Sequence, residues 1–209
     1  MKKSILALAL LLLVSTACKK ENNPLNKVKE ATNKLKEAKQ GLGNINELLK
    51  GAEGLQDHIK KLSETTPITK AELKAWMPEQ LDDLRRSSFQ ISKDMGTICK
   101  LVFKDDNKKS MNINIVDGAG NGAPMISMYS MMQNMDIDKE NNTGYERTQK
   151  MGDQKVYVKY QKSGNYESSK LQCTLNGRFG IEANAKSMTP DELWKYIEKL
   201  EIQKLIIKI

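Results

Sequence analysis

A chain of 209 residues with 39% hydrophobic and 29% charged side chains has the composition of an ordinary globular protein, which excludes the fibrous and wholly disordered classes. Lysine and arginine outnumber aspartate and glutamate by 34 to 26, a formal charge of +8 that suits an anionic membrane surface or a nucleic acid. The lysines are scattered, however, and only Arg85, Arg86, Arg147 and Arg178 offer the bidentate fork that phosphate recognition favours, so no nucleic-acid partner is expected.

Lys2 and Lys3 form a positive start, Ile5 to Val14 is an apolar run of about ten residues, and small residues follow, the layout of a cleaved secretory signal. That run is too short to span a bilayer. Ser15-Thr16-Ala17 leads at once into Cys18. This resembles a bacterial lipoprotein lipobox, and the resemblance implies a signal peptide over 1–17 and a diacylated Cys18 as first residue of the mature chain. Lys19 in the next position is similar to lipoproteins sent on to the outer membrane, so the partner implied there is outer-membrane lipid.

From 18 to 65 apolar residues recur at Val28, Ala31, Leu35, Ala38, Leu42, Ile45, Leu49 and Ala52, then at Leu55, Ile59 and Leu62. Spacings of three and four predict helix. Gly41, Gly43, Gly51 and Gly54 argue against one stiff rod and place a break near Gly41 to Gly43. This stretch reads either as a stalk that self-associates or meets an envelope protein, or as a tether laid against the domain that follows.

Ser63-Glu64-Thr65-Thr66-Pro67 marks the boundary of a domain over 66–209. Thr69 with Glu72 forms a capping box for a short helix through Trp76, and Pro78 ends it. The period then changes from helical to alternating, with strands expected over 86–91, 97–103 and 111–116, a helix, and strands over 145–150, 155–161, 170–175 and 178–183. Asn176-Gly177 predicts a two-residue hairpin, and so many tight connections make the sheet mainly antiparallel. Thr189-Pro190-Asp191-Glu192 starts a final helix with a buried stripe of Leu193, Tyr196, Ile197 and Leu200; the tail from Glu201 fits a short strand or a further turn of helix. The fold class is α+β, a mainly antiparallel sheet flanked by helices. Glu72-Leu73-Lys74-Ala75-Trp76-Met77-Pro78, Gly144-Tyr145-Glu146-Arg147 and Asn176-Gly177-Arg178-Phe179 resemble stretches of uncharacterised Bacteroidetes-type lipoproteins with a PsbP-like α+β sandwich, a resemblance that implies a fold and no agreed activity.

Gly118-Ala119-Gly120-Asn121-Gly122-Ala123 fits a G-x-G-x-x-A phosphate loop, with Asp138 about twenty residues on. That fingerprint works inside a parallel βαβ unit, whereas hairpins surround this one, so a glycine-rich turn into a helix begun by Pro124 explains it. The helix carries Met125, Met128, Met132 and Met135 on one face and Met131 off it. Thioethers can hold Cu(I), but methionine also fills gaps against a sheet, and core packing is the expected role. His58, the single histidine, lies outside the domain, which leaves a Ser-His-Asp or Cys-His device without a base. The acidic run from Asp136 to Glu140 reads as a solvated connector, and Trp76 and Trp194 as core. Cys99 and Cys173 each share a strand face with apolar neighbours; they form a disulfide or remain two buried thiols, and neither is catalytic. No cofactor is expected. The function expected is that of a lipid-anchored envelope protein with a non-catalytic binding or structural role, the alternative being a small-ligand or copper-binding protein of the periplasm or cell surface.

Overall fold

The computed structural model describes residues 45–93 and 96–207, and the chain divides into two units, 1–45 and 46–209. The expected signal segment, Cys18 and the tether as far as residue 44 lie outside the described residues, as do Asp94 and Met95 of one expected turn. The second unit begins with α1 (Ile45–Glu64) and α2 (Lys70–Trp76), followed by β1 (Gln80–Leu81), β2 (Leu84–Ser92), β3 (Thr97–Lys104) and β4 (Ser110–Asp117). A 3-10 turn (Gly120–Gly122) runs into α3 (Ala123–Asn134). Strands β5 (Asp138–Asn141), β6 (Gly144–Met151), β7 (Gln154–Ser163), β8 (Tyr166–Leu175) and β9 (Phe179–Lys186) precede α4 (Pro190–Lys199) and α5 (Lys204–Ile207).

The described strands form one sheet in the order β1-β2-β3-β4-β9-β8-β7-β6-β5, and all its neighbours are antiparallel. Two meanders, one from each half of the domain, therefore meet at the central β4–β9 pair. The expected strands are all present, and two short ones extend the edges. One of these, β5, takes up most of the acidic stretch expected to be a connector; all four of its residues are exposed, as suits an edge.

Alternation separates the two faces. On one, Cys99, Leu101, Phe103, Met111, Ile113, Ile115, Ile181, Ala183, Leu171 and Cys173 are buried beneath α2 and α4, which contribute Leu73, Leu193, Trp194 and Ile197. Each fully buried side chain of this size stabilises the fold by roughly 1.5–3 kcal/mol. Both expected capping boxes form. Glu72 N–H donates to Thr69 Oγ1 at 3.2 Å while Thr69 N–H donates to Glu72 Oε2 at 2.7 Å, and the same reciprocal pair joins Thr189 and Glu192. The backbone N–H and then the hydroxyl of Thr189 hold the Glu192 carboxyl below its ordinary range. The tail is helical at α5, where Leu205 is buried.

On the other face α3 covers the end of the sheet near the glycine-rich turn, burying Ala123, Ile126, Tyr129 and Gln133. A side chain at Gly180 would place its Cβ 2.7 Å from the Tyr129 ring, so glycine there permits the helix to lie close. Gln133 Oε1 accepts the Thr174 N–H at 3.0 Å.

The last turns of α1 belong to the same unit. Ile59 and Leu62 are buried, and His58 Nε2 lies 2.6 Å from the Gly177 carbonyl. A carbonyl only accepts, so Nε2 carries the proton. The expected boundary at 65/66 falls in the turn between α1 and α2, where Leu62 on one side and Ile68 on the other are both buried.

A buried ion pair ties these pieces together. Arg178 Nε donates to Asp117 Oδ1 at 2.7 Å and Arg178 Nη2 to Asp117 Oδ2 at 3.0 Å, with side chains 8% and 3% exposed. Asp117 also accepts the backbone N–H groups of Ile68 (2.8 Å) and Ala119 (3.1 Å), and Arg178 Nη2 donates to the Thr66 carbonyl at 3.1 Å. The pair explains one departure from expectation. The β8–β9 loop holds three residues rather than two: Asn176 and Gly177 both take positive φ, 53° and 65°, and pairing resumes only at Phe179. Arg178 is thereby released from the ladder and turned back toward Asp117, while its carbonyl accepts the Gly118 N–H at 2.9 Å.

Removing one partner of such a pair leaves a buried charge uncompensated. Arg178→Met is expected to destabilise the domain by about 3–5 kcal/mol, a fall in Tm on the order of 10 °C read by calorimetry, and a change under 1 kcal/mol would show that the pair does not hold the fold.

Candidate functional site

Beyond the edge of α3 the second face of the sheet is open, and cross-strand register shows what it presents. Across β2, β3, β4 and β9 one row reads Gln90, Lys100, Asn114, Glu182 and ends on β8 at Gln172, which is buried. The next reads Ser88, Val102, Asn112, Asn184, Lys170, and a third reads Arg85, Lys104, Ser110, Lys186, Ser168. Five strands at about 4.8 Å spacing make a surface roughly 19 Å across. Ser88, Gln90, Lys100, Val102, Asn112, Asn114 and Asn184 line a shallow basin of about 580 Å³ within it.

Charge on these three rows is one-sided: Arg85, Lys100, Lys104, Lys170 and Lys186 stand against Glu182. Glu182 is occupied from two sides, by Lys170 Nζ at 3.1 Å and by Asn184 Nδ2 at 3.2 Å. Among the described residues Lys100, Lys104 and Lys186 have no carboxylate within ion-pair distance. The amides of Gln90, Asn112 and Asn114 add donors and acceptors that suit hydroxyl and acetamido groups. Such a surface can hold an extended polar ligand through many weak contacts; it lacks the enclosure of a small-molecule pocket. A narrower cleft of about 290 Å³ lies between α2 and the C-terminal turns, with Ala75, Trp76, Pro78, Leu200 and Leu205 as walls and Glu72, Lys199, Glu201 and Lys204 around it.

The residues singled out in the sequence fall as follows. Cys18 lies outside the described residues. Cys99 and Cys173 both point into the core, as expected, but the possible disulfide between them is excluded. They sit in one cross-strand row, Cys99 opposite Ile115, Ile115 opposite Ile181 and Ile181 opposite Cys173, so three strand spacings of about 4.8 Å separate them, where a disulfide needs Cα atoms under roughly 7 Å apart. Burial pushes the Cys99 thiol up to about 11 and the Cys173 thiol up to about 12.

The glycine-rich turn is consumed by the fold. Gly118 N–H goes to the Arg178 carbonyl, Ala119 N–H to Asp117, and Gly122 N–H to the Ala119 carbonyl at 3.2 Å, so these donors are committed before any phosphate arrives. It also follows an antiparallel strand, β4. The core-packing role expected of the methionines is corrected for Met128, Met131 and Met135. The side of α3 that meets the sheet is Ala123, Ile126, Tyr129 and Gln133; Met125 and Met132 are half-buried, while Met128, Met131 and Met135 are 56%, 55% and 40% exposed. Trp194 is buried and donates to Glu198 Oε1 at 2.7 Å, and Trp76 donates to the Leu200 carbonyl at 3.0 Å.

The basic, amide-rich face was missed by reading along the chain. Its signal is alternation: Lys100, Val102 and Lys104, or Ser110, Asn112 and Asn114, are the outward residues of strands whose inward residues are apolar. Which outward sets adjoin depends on strand order.

No family profile matches the chain, and no curated protein does. Among solved structures the extracellular domain of PknH from Mycobacterium tuberculosis is similar at a TM-score of 0.45 and 10% identity, over 68% of this chain and 98% of that one. Among the described residues no helix is long and apolar enough to cross a membrane.

The thiol geometry makes a direct prediction. In native protein at pH 8 neither Cys99 nor Cys173 reacts with a disulfide reagent, since both are neutral and buried, and both titrate at once in denaturant without prior reduction. A chain that yields these two thiols only after reduction would contradict the strand order.

Proposed function

We propose that this chain is a lipid-anchored protein of the cell envelope, held in the outer membrane by acylated Cys18, whose domain binds an acidic polysaccharide on the open face of its sheet. The lipobox-like Ser15-Thr16-Ala17-Cys18 supports the anchor. The observation that carries the binding role is the gathering of five cations and a set of amides on one uncovered surface, with a single carboxylate among them. Carboxylate or sulfate groups of the polymer meet Lys100, Lys104 and Lys186, while Asn112, Asn114 and Gln90 bond the sugar hydroxyls between them. Lysine suits this task because its ammonium is a compact charge with three donors on a flexible stem.

Two measurements test the two halves of this reading. Intact mass of the protein extracted in detergent from its own membranes is expected to show a diacylated species beginning at Cys18; an unlipidated mass returns the domain to a soluble exported form. For binding, the full-length chain is titrated with polygalacturonate, with neutral dextran and with a single-stranded oligonucleotide. Polygalacturonate is expected to bind and dextran not, and the triple variant Lys100→Gln, Lys104→Gln, Lys186→Gln to weaken that binding about tenfold at low salt, three exposed contacts at roughly 0.5 kcal/mol each. Equal binding by the variant, or stronger binding of the oligonucleotide, would sink the polysaccharide assignment.

A further inference from the structure

Methionine is among the residues most often fully buried in folded proteins, yet α3 turns its thioethers outward. Met128, Met132 and Met135 stand at i, i+4 and i+7 along one side of the helix, with Met131 about 60° round from Met128 and equally exposed, and the sheet is met by the opposite side through Ala123, Ile126, Tyr129 and Gln133. Gap filling, the usual reason for a methionine run, is therefore not what the exposed Met128, Met131 and Met135 do. We infer that this outer face of α3 is a binding site for a soft monovalent cation, Cu(I), held by the sulfur atoms of Met128, Met131 and Met135 with Met132 at the border of the set.

Three features of the site agree with that ligand. Thioether sulfur is a soft, neutral donor, and soft donors select Cu(I) over the hard cations of the medium. The set sits on the last two turns of α3, which ends at Asn134, so a cation there lies at the negative end of the helix dipole. No lysine, arginine, aspartate or glutamate occurs between Ala123 and Met135, so no fixed positive charge on the helix itself opposes the metal. Coordination is a ligand addition with no change in oxidation state, and because a thioether carries no proton at any ordinary pH none has to leave. Each methionine has three rotatable side-chain bonds, so the three thioethers can swing along the helix surface toward a shared ion.

Leucine keeps the size and apolar character of methionine while removing the sulfur, which separates metal binding from an apolar contact with another protein. The test uses the full-length chain carrying Cys18→Ser, so that no free N-terminal thiol competes, with Ag(I) as the redox-silent probe followed by methyl resonances of the methionines. Saturable shifts of the Met128, Met131 and Met135 methyls are expected, with the buried Met111 and Met188 methyls unmoved, and Cu(I) kept reduced by ascorbate should compete for the same site. The double variant Met128→Leu/Met131→Leu changes two side chains more than half exposed, so its fold is preserved, and it should weaken Ag(I) binding at least tenfold. The inference is overturned if those methyls do not shift, or if the double variant binds Ag(I) as tightly as its parent.

Discussion

The Asp117–Arg178 pair is the contact on which the arrangement of this domain depends. Neither residue lies in the apolar core; both lie where the first meander, the second meander and the chain leading out of α1 come together. Asp117 ends β4, Arg178 precedes β9, and Ile68 and Thr66 belong to the turn before α2. Hydrophobic burial is indifferent to direction, so a sheet of two similar meanders has several ways of closing with comparable apolar contact. A bidentate pair whose carboxylate also takes two backbone N–H groups has one. The desolvation of two charges is costly, and the contacts that offset it join the end of β4, the start of β9 and the turn before α2.

The same pair accounts for the glycine-rich turn. That turn has to bring the chain from the end of β4 around Asp117 and into α3 while Gly122 approaches the Asp117 carbonyl too closely for any side chain. Its glycines serve close packing, Gly118 against Ile126 and the Arg178 carbonyl and Gly122 against the Asp117 carbonyl, and the N–H groups of Gly118, Ala119 and Gly122 are bonded within the fold. A phosphate loop needs the reverse, free donors pointing out of a helix N-terminus. Resemblance in spacing thus arises from a shared need for small residues, with different atoms crowding them.

α3 divides the second face of the sheet and gives the molecule its two surfaces of interest. Under the helix the sheet is tight, with Tyr129 lying on Gly180. Outside it the rows of lysine and amide stay in solvent, and above it the methionines do. Polar contacts made by flexible lysines are individually small, so affinity on the open face depends on how many a ligand reaches at once. A thioether set works by the opposite principle, few donors and one ion.

Much of this architecture was legible in the sequence, because it is local. Both capping boxes, the change to alternation near Arg85, the strand segments and the last helix rest on neighbours within four residues; the capping boxes form as expected, and the strands appear with ends shifted by a few residues. What the tertiary structure decided is everything that needs strand order. Cys99 and Cys173 share a face, as alternation said, yet two strands stand between them, and no pattern along the chain reports that. Lysines scattered along the sequence gather on one surface only when β4 pairs with β9. The methionine face points outward because Ile126, Tyr129 and Gln133 fit the sheet beside Gly180 and Thr174, a choice between two sides of one helix that composition cannot make. Period tells which residues share a side; only packing against a partner tells which side is buried.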